Sequence, residues 1–236
     1  GQRLMEKADV RNQSAGIVTV AESPELAALP RRARGRPRKT VDERDDGNRR
    51  QALLAAAAKL FRRKGFDATS TRDIAAAVGM HSGSPFYHFK SKAALLWAVM
   101  EEGMRAAIAR QDQAVQQTLP TLTDARAQLA VLVRQHFDVL LGPGSDFIPV
   151  MLYESRSLTA LQRARMAQLQ AEYEAPWVPL LTALHDQGLL KADVKLSRLL
   201  IFGALNWSVQ WYDRKQGANL DALAQASMAL FIQETA

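Results

Sequence analysis

Residues 66–92 read FDATSTRDIAAAVGMHSGSPFYHFKSK, and this stretch decides how the N-terminal part of the chain folds. Ser70 and Asp73 have the spacing of a capping box, which predicts that a short helix begins here. Gly79 permits a tight turn, and a second short helix is expected to start with Ser82 as its N-cap. Two short helices joined by a glycine turn indicate a helix-turn-helix.

The segments on either side of this motif also predict helices. Upstream, apolar residues at helical spacing predict a helix that starts near Asp46 and ends at Gly65. Downstream, Ser91 is expected to cap a long helix that Pro120 ends. Further helices are predicted over residues 123–141, 147–156, 159–187, 194–214 and 219–234, with Pro176 and Pro179 bending or splitting the third of them. No segment alternates as a strand would, so the predicted fold class is all-α.

The positive charge of the chain lies at one end. The formal net charge is +7, yet residues 93–236 contain 12 Lys and Arg residues against 14 Asp and Glu residues. A basic front joined to a slightly acidic back is typical of a protein whose front binds a polyanion. The front of the chain is therefore the expected DNA-binding end.

The first part of the chain has no sustained periodicity and contains a dense basic run. Residues 31–39 read RRARGRPRK. Arg34 and Arg36 flank a glycine in a pattern that resembles an AT-hook, a segment that lies in the narrow minor groove of A·T-rich DNA. A basic run exposed to solvent is the alternative.

The stretch from about residue 50 to residue 100 resembles the TetR family of transcriptional regulators. The residues that carry the resemblance are FDATSTRDIA (66–75), VGM (78–80), Gly83, FYHFKSK (86–92) and LL (95–96). The resemblance implies that the second helix of the motif enters the major groove of DNA. The DNA contacts that it implies come from Thr71, Arg72, Tyr87, His88 and Lys92.

The start of this recognition helix carries small, hydrogen-bonding residues that suit the edges of bases. These residues are Ser82, Gly83 and Ser84. His81 either reads a base or faces solvent. The chain departs from the family pattern at Pro85, where leucine is usual, and at Phe86, where tyrosine is usual. Because proline is tolerated in the first turn of a helix, the helix is still expected to start at Ser82, with Phe86 in the local core.

The last two predicted helices carry more apolar surface than one side of a packed helix needs. The residues expected at a dimer interface are Leu199, Phe202, Leu220, Leu223, Met228 and Phe231. The family resemblance implies a four-helix bundle formed with a second copy of the chain, and an ordinary intramolecular core is the alternative. Because one helix-turn-helix makes few base contacts, a homodimer on palindromic DNA is expected.

Aromatic and polar side chains between the two ends of the chain predict a small-molecule site, since such sites are mostly apolar with a few polar groups. The candidate ligand-binding residues are Phe137, Phe147, Met151, Glu154, Tyr173, Trp177, Asn206, Trp207 and Trp211, with His136 among their neighbours. This part is loosely similar to TetR-type repressors of fatty-acid and sterol-ring catabolism that respond to acyl-CoA thioesters. The similarity implies an apolar tunnel with a basic mouth, for which the candidates are Arg105, Arg110, Arg156 and Arg163; exposed helix faces are the alternative for each.

The sequence lacks the residues that other classes of function need. Without cysteine, disulfides and thiolate metal sites are excluded, and the four histidines do not have the spacing of metal ligands. Nucleophile-elbow, zinc-protease and phosphate-loop motifs are missing, so neither an enzyme nor a cofactor is expected. No apolar run reaches the roughly 20 residues of a membrane span, so a cytoplasmic, nucleoid-associated protein is expected.

The sequence thus predicts a homodimeric repressor that a small apolar effector, such as an acyl-CoA, releases from a palindromic operator. Its expected parts are a disordered basic tail (1–46), a helix-turn-helix DNA-binding domain (47–92) and a ligand-binding and dimerisation domain (93–236). Ligand is expected to tilt the long helix that follows Ser91 and so change the spacing of the two recognition helices. The alternative is an architectural DNA-binding protein without an effector, which would have a solid core in place of a cavity.

Overall fold

Helices build the part of this chain that the computed structural model describes, which is residues 41–81, 83, 85–215 and 217–234. In this part of the chain the structure has α-helices and two single turns of 3-10 helix, without any strand. The helices are α1 (Val41–Lys64), α2 (Thr71–Ala77), α3 (Pro85–His88), α4 (Lys92–Thr118), α5 (Ala125–Leu141), α6 (Phe147–Tyr153), α7 (Ala160–Glu174), α8 (Trp177–Asp186), α9 (Val194–Trp211) and α10 (Leu220–Phe231). The predicted all-α fold is therefore confirmed for the described residues.

The first helix begins earlier than predicted. α1 starts at Val41 rather than near Asp46, so residues 41–46 are helical and the predicted end of the tail at residue 46 is wrong. Acidic residues in the first turns of this helix complement the positive end of its dipole, which favours the early start. The basic run with Arg34 and Arg36 lies outside the described residues.

The turns and the cap that frame α2 form as predicted. Gly65 and Gly79 have φ angles of 82° and 68°, which favour glycine over any residue with a side chain. The Ser70 hydroxyl accepts the backbone N–H of Asp73 at 3.0 Å, and the Asp73 carboxylate accepts the N–H of Ser70 at 3.1 Å. Hydrogen bonds donated to the Asp73 carboxylate by the backbone N–H and then by the side chain of Ser70 lower the pKa of Asp73 below its ordinary value. The capping box therefore sets the start of α2.

The second helix of the motif is shorter than predicted. It spans only Pro85–His88, so the prediction that it starts at Ser82 is wrong. Proline suits the first position of a helix because its missing N–H would be unpaired there in any case. Pro85 is also buried, so it anchors the start of this helix against the protein. Ser82, Ser84 and the side chain of Phe86 lie outside the described residues.

The long helix α4 runs from the helix-turn-helix to the back of the protein. The Ser91 hydroxyl accepts the N–H of Ala94 at 3.1 Å, which confirms the predicted cap. The helix ends at Thr118, and Pro120 lies in the 3-10 turn that follows, as predicted. Along its length α4 packs against α1, α5, α6 and α7, so one continuous apolar core joins the front and the back of residues 41–234.

The C-terminal helices are separate units with polar caps. The first free N–H groups of α5, α7, α9 and α10 are accepted by the side chains of Asp124, Thr159, Asp193 and Asn219. The segment predicted over 159–187 splits at Pro176 into α7 and α8, and α5 packs against α4, α8, α9 and α10. None of the described helices is long and apolar enough to cross a lipid bilayer.

Candidate DNA-binding surface and ligand cavity

Two of the predicted DNA contacts project into solvent at the helix-turn-helix. Arg72, the second residue of α2, is exposed, and Tyr87 on α3 has 81% of its surface exposed. His81 and Gly83, in the segment between the two helices, are exposed as well, whereas Thr71 is half-buried. An exposed arginine and an exposed tyrosine on neighbouring helices suit contacts with the backbone and base edges of a duplex.

His88 faces the interior instead. Its side chain is only 8% exposed, and its Nε2 lies 3.8 Å from Oδ1 of Asp46 on α1. Because α3 is a single helical turn, neighbouring residues point in different directions, and Tyr87 takes the exposed one. The structure thus corrects the prediction of a DNA contact from His88, whose ring joins α3 to α1.

Lys92 is also committed to contacts within the protein. Its Nζ donates to the carbonyl oxygen of Phe66 at 2.8 Å and lies 4.3 Å from the centroid of the Phe66 ring. A hydrogen bond and a cation–π contact with one residue tie the start of α4 to the turn between α1 and α2. The Lys92 side chain is half-buried, and its phosphate contact stays a prediction beside this internal role.

A cavity of about 190 Å³ lies among α4, α5, α6, α7 and α9. Its apolar wall is formed by residues of α4, α5 and α6 with one from α9: Met104, Ala107, Val139, Leu140, Ile148, Met151, Leu152 and Phe202. Its polar residues come from α5, α7 and α9: His136, Gln170, Tyr173, Glu174 and Asn206. A mostly apolar lining with a few polar groups on one side is typical of a small-molecule site.

Three side chains of the polar wall form a buried chain of hydrogen bonds. His136 Nδ1 lies 2.8 Å from the Tyr173 hydroxyl, and His136 Nε2 lies 3.0 Å from Oδ1 of Asn206. Burial lowers the pKa of the His136 imidazole to about 4, so the ring is neutral near pH 7. Because an amide oxygen only accepts, Nε2 carries the proton and donates to Asn206, while Tyr173 donates to Nδ1. Burial also raises the pKa of Tyr173, which keeps its hydroxyl protonated.

Gln111 supports this wall from the adjacent helix α4. Its Nε2 donates to the carbonyl oxygen of Tyr173 at 2.6 Å, and its Oε1 accepts the indole N–H of Trp177 at 2.8 Å. Trp177 is fully buried and packs on Phe202 with ring centroids 4.5 Å apart. Trp177 therefore supports the cavity from behind.

The structure places three of the predicted ligand-binding residues in the cavity and corrects the other six. Those that line it are Met151, Tyr173 and Asn206. Phe137, Phe147 and Trp177 are core residues, Glu154 contacts the turn before α2, and Trp207 and Trp211 are exposed. Aromatic content alone was thus a weak guide, because it does not distinguish a cavity wall from a core or a surface.

Sequence reasoning missed most of the apolar wall, although a periodic signal was available. On α6 and on α7, three residues at i, i+3 and i+4 spacing share the face that lines the cavity. They are Ile148, Met151 and Leu152, and Gln170, Tyr173 and Glu174. Phe202, which had been assigned to the dimer interface, belongs to the same cavity.

The predicted basic mouth is not part of the cavity wall, which contains neither lysine nor arginine. Arg105 pairs with Glu101 on its own helix at 2.9 Å, and Arg163 donates to the carbonyl oxygen of Leu158. Arg156 is exposed. These three arginines therefore correspond to the alternative of ordinary helix or turn surfaces.

The short helix α6 is attached at both ends to the helix-turn-helix region. Nη1 of Arg62 on α1 donates to Asp146, immediately before α6, at 2.8 Å. Glu154, immediately after α6, accepts the N–H of Phe66 through Oε1 at 2.9 Å. A helix that lines the cavity is therefore in direct contact with the DNA-binding part of the protein.

One face of α9 is apolar and exposed. Its exposed large side chains, with one from α10, are Leu196, Leu199, Leu200, Trp207, Trp211 and Leu230. The structure corrects two predicted dimer residues, because Phe202 and Met228 are only 6% and 4% exposed and pack inward. Leu220, Leu223 and Phe231 are half-buried, so Leu199 is the predicted dimer residue that remains well exposed.

Comparison with known proteins identifies the family. Residues 53–99 match the model of bacterial regulatory proteins of the tetR family, and residues 122–234 match a tetracyclin repressor-like C-terminal domain. The HTH-type transcriptional repressor KstR2 of Mycolicibacterium smegmatis is 30% identical over 180 residues, which are 74% of this chain and 83% of that protein. This chain belongs to the TetR family. Its members are transcriptional regulators, and α2 and α3 lie within residues 53–99, the segment that matches the family's N-terminal model.

Two further similarities extend along most of this TetR-family chain. KstR2 of Rhodococcus jostii is 28% identical over 196 residues, which are 81% of this chain and 93% of that protein. A crystal structure of AibR in complex with isovaleryl coenzyme A and operator DNA has a TM-score of 0.69 at 22% identity, covering 79% of this chain and 100% of that chain. The second similarity is one of fold.

Proposed function

We propose that this TetR-family protein is a homodimeric repressor that a small effector releases from a palindromic operator. The observation that carries the proposal is the cavity beside α4 and α6, because these two helices also pack against α1 of the helix-turn-helix. A cavity favours an effector-responsive regulator over an architectural DNA-binding protein, for which a solid core is expected.

The operator contacts are assigned to the exposed residues of the helix-turn-helix. Arg72 and Tyr87 support this assignment by their exposure on adjacent helices. Each copy presents one short recognition helix, so two copies would read half-sites one turn of DNA apart, about 34–36 Å. Arg34 and Arg36 would add minor-groove contacts, a proposal that rests on their sequence pattern alone.

The dimer interface is assigned to the exposed apolar face of α9 and α10. Contiguous exposed apolar residues on a water-soluble surface mark an interaction site, and tryptophans are enriched among the residues that anchor interfaces. Trp207 and Trp211 are 62% and 58% exposed on this face. A second copy packed on the same face would bury them symmetrically.

Effector binding would reach the DNA-binding part through α4 and α6. Met104 on α4 and Met151 on α6 both line the cavity. The contacts of Asp146 and Glu154 hold α6 to the helix-turn-helix region. A ligand that fits only one arrangement of these helices shifts the population toward it, and in this proposal that arrangement lacks the half-site spacing.

An acyl-CoA with a compact acyl group is the proposed effector class. The AibR complex, which shares the fold, contains isovaleryl coenzyme A. The cavity of about 190 Å³ is somewhat larger than a cavity of about 150 Å³ that binds benzene. It therefore suits a branched or single-ring acyl group, and the coenzyme A part would lie outside it.

The test uses the full chain and a DNA duplex that the chain itself selects from a random pool. Gel shifts with this duplex are titrated with isovaleryl-CoA, and with coenzyme A alone as the matched control. Release of the DNA by isovaleryl-CoA at concentrations where coenzyme A has no effect is the expected result. If compounds that bind the cavity leave DNA affinity unchanged, the mechanism is wrong, and if no duplex is selected, the operator role is wrong.

A further inference from the structure

The polar wall of the cavity contains an amide group whose nitrogen is unused. Asn206 on α9 accepts a hydrogen bond from His136 through Oδ1, with 3.0 Å between the two atoms. Its Nδ2 has no acceptor within the part of the chain that the structure describes. Asn206 is half-buried and lines the cavity, so its two N–H donors are the free hydrogen-bonding groups of this side chain.

The buried chain of hydrogen bonds sets the orientation of that amide. Oδ1 of Asn206 faces Nε2 of His136, so this ring nitrogen carries the proton and the Tyr173 hydroxyl donates to Nδ1, 2.8 Å away. Turning the amide over would leave the buried Nε2–H without an acceptor, which is unfavourable. The amide nitrogen is left for a ligand.

The charges around the cavity narrow the chemistry of that ligand. Glu174 on the same wall forms an ion pair with Arg198 of α9, and no lysine or arginine lines the cavity. An anionic ligand group would find no cationic side chain in this lining, because Arg110 acts on Tyr173 without lining the cavity, and burying an unpaired charge is costly. The acceptor that fits the Asn206 donors is therefore a neutral oxygen. Opposite this wall, Met104 and Ile148 offer only apolar contacts.

We propose that Asn206 binds the carbonyl oxygen of the effector, so that the cavity selects a compact apolar group that carries a carbonyl. A cyclic ketone and the acyl end of a thioester both present this chemistry. The inference rests on the proposed function, because it takes the cavity between α4 and α9 as the effector site. It goes beyond that function by naming the group that is recognised and the residue that recognises it.

The experiment measures dissociation constants by calorimetry with the full chain in the absence of DNA. Each carbonyl probe is paired with an analogue of similar shape that lacks the carbonyl. The pairs are cyclohexanone with methylenecyclohexane, and S-isovaleryl-N-acetylcysteamine with its isopentyl thioether. For each pair we take the ratio of the two dissociation constants. Because the two probes share the apolar group, a variant that changes this ratio acts on recognition of the carbonyl.

The decisive variant is Asn206→Leu, which removes the amide donors at similar volume. We expect it to shift the affinity ratio about tenfold toward the carbonyl-free analogue, which corresponds to about 1.4 kcal/mol. Gln187→Leu is the matched control, since Gln187 is an exposed amide outside the cavity wall, and its ratio is expected to stay unchanged. Asn206→Asp keeps an acceptor for His136 but lacks the donors, and it tests the same loss if the leucine variant does not fold.

The outcomes separate this proposal from the proposed function. A shift in the ketone pair or in the thioester pair supports the carbonyl assignment and identifies which source of carbonyl the cavity accepts. Unchanged ratios in both pairs, an equal shift with Gln187→Leu, or no binding of any probe overturns it. Release of DNA by isovaleryl-CoA together with unchanged ratios would remove only the role of Asn206 and leave the repressor function standing.

Discussion

The DNA-binding end and the cavity end place their functional side chains in opposite environments. At the front, Arg72 and Tyr87 are exposed. At the back, His136, Tyr173 and Asn206 bond to one another beside the cavity. An exposed side chain contributes to binding with little effect on folding, whereas each member of a buried network contributes to both. Under the proposed function, DNA recognition is therefore separated from stability, whereas effector recognition is combined with it.

The largest expected effect is the acid sensitivity of the cavity end. Burial lowers the pKa of His136 from 6.5 to about 4. The His136 imidazole binds a proton below about pH 6.5 in the unfolded chain, but only below about pH 4 in the folded chain. This stability is therefore fully present above pH 6.5 and lost as the pH falls to about 4, by roughly 3 kcal/mol at 1.36 kcal/mol per pKa unit. Urea unfolding at a series of pH values measures the change.

Two histidine variants sharpen this prediction. His136→Gln should flatten the dependence of unfolding free energy on pH between about 6.5 and about 4. The control is His185→Gln, because His185 is exposed, and the dependence should remain. A slope that persists in His136→Gln would show that the back of the molecule is no more sensitive to acid than the front.

The next largest effect concerns the exposed face of α9, which is the proposed dimer interface. Leu199→Glu should give a monomer and weaken binding to the selected operator about 100-fold, or about 2.8 kcal/mol, because one helix-turn-helix loses its partner. Light scattering and gel shifts measure the two effects. Leu161→Glu on α7 is the control, since Leu161 is 80% exposed, against 53% for Leu199, and lies on another helix. A dimer that survives Leu199→Glu with unchanged affinity would place the interface elsewhere.

A smaller effect is expected at the front, where a substitution should weaken DNA binding without lowering the stability of the protein. Arg72→Ala should weaken operator binding about tenfold, or about 1.4 kcal/mol, and reduce the salt dependence of binding, because a phosphate contact is lost. Its melting temperature should match the unmodified protein, since Arg72 is exposed. Arg156→Ala, at an exposed position after α6, is the charge-matched control and should leave binding unchanged. A large loss of stability in Arg72→Ala would contradict the contrast between the two ends.

The smallest effect tests the local scaffold of the DNA-binding end. Ser70→Ala removes the cap of α2, in which the Ser70 hydroxyl accepts the N–H of Asp73 at 3.0 Å. Loss of an N-cap costs about 1 kcal/mol of unfolding free energy, which denaturant titration measures. Ser155→Ala, at an exposed position, provides the comparison and should have almost no effect. Equal stabilities of the two variants would mean that the capping box is not what sets α2.

Features set by neighbouring residues were predictable from the sequence. The capping box of Ser70, the turns at Gly65 and Gly79 and the division at Pro176 each depend on one or a few consecutive residues. The start of α3 was not predictable in this way. Pro85 is compatible with the first helical position and also with a later position in the first turn of a helix that begins earlier. The packing of Pro85, which is buried, decides between these two starts of the helix.

The sequence predicted that a ligand cavity exists but identified only some of the residues that line it. Tyr173 and Asn206 were identified because polar tips among apolar residues are typical of ligand sites, and both line the cavity. The sequence pattern assigned Phe202 to the dimer surface and Trp207, five residues later on the same helix, to the cavity, whereas Phe202 lines the cavity and Trp207 is exposed. Residues on one helix differ in environment by the direction they face, and the neighbouring helices determine which direction is inside.

By itself, the sequence determined that the chain is helical, that its front half is basic and that a helix-turn-helix lies within residues 66–92, because helix caps, breaks and charge are local properties. Only the tertiary structure decided that His88 turns inward, that Lys92 bonds to Phe66 and that α6 bonds at both ends to the front of the molecule. It also decided that the amide of Asn206 lines the cavity with its nitrogen unused. These outcomes depend on contacts between residues far apart in the chain. A buried polar group must find a partner wherever the packed helices provide one.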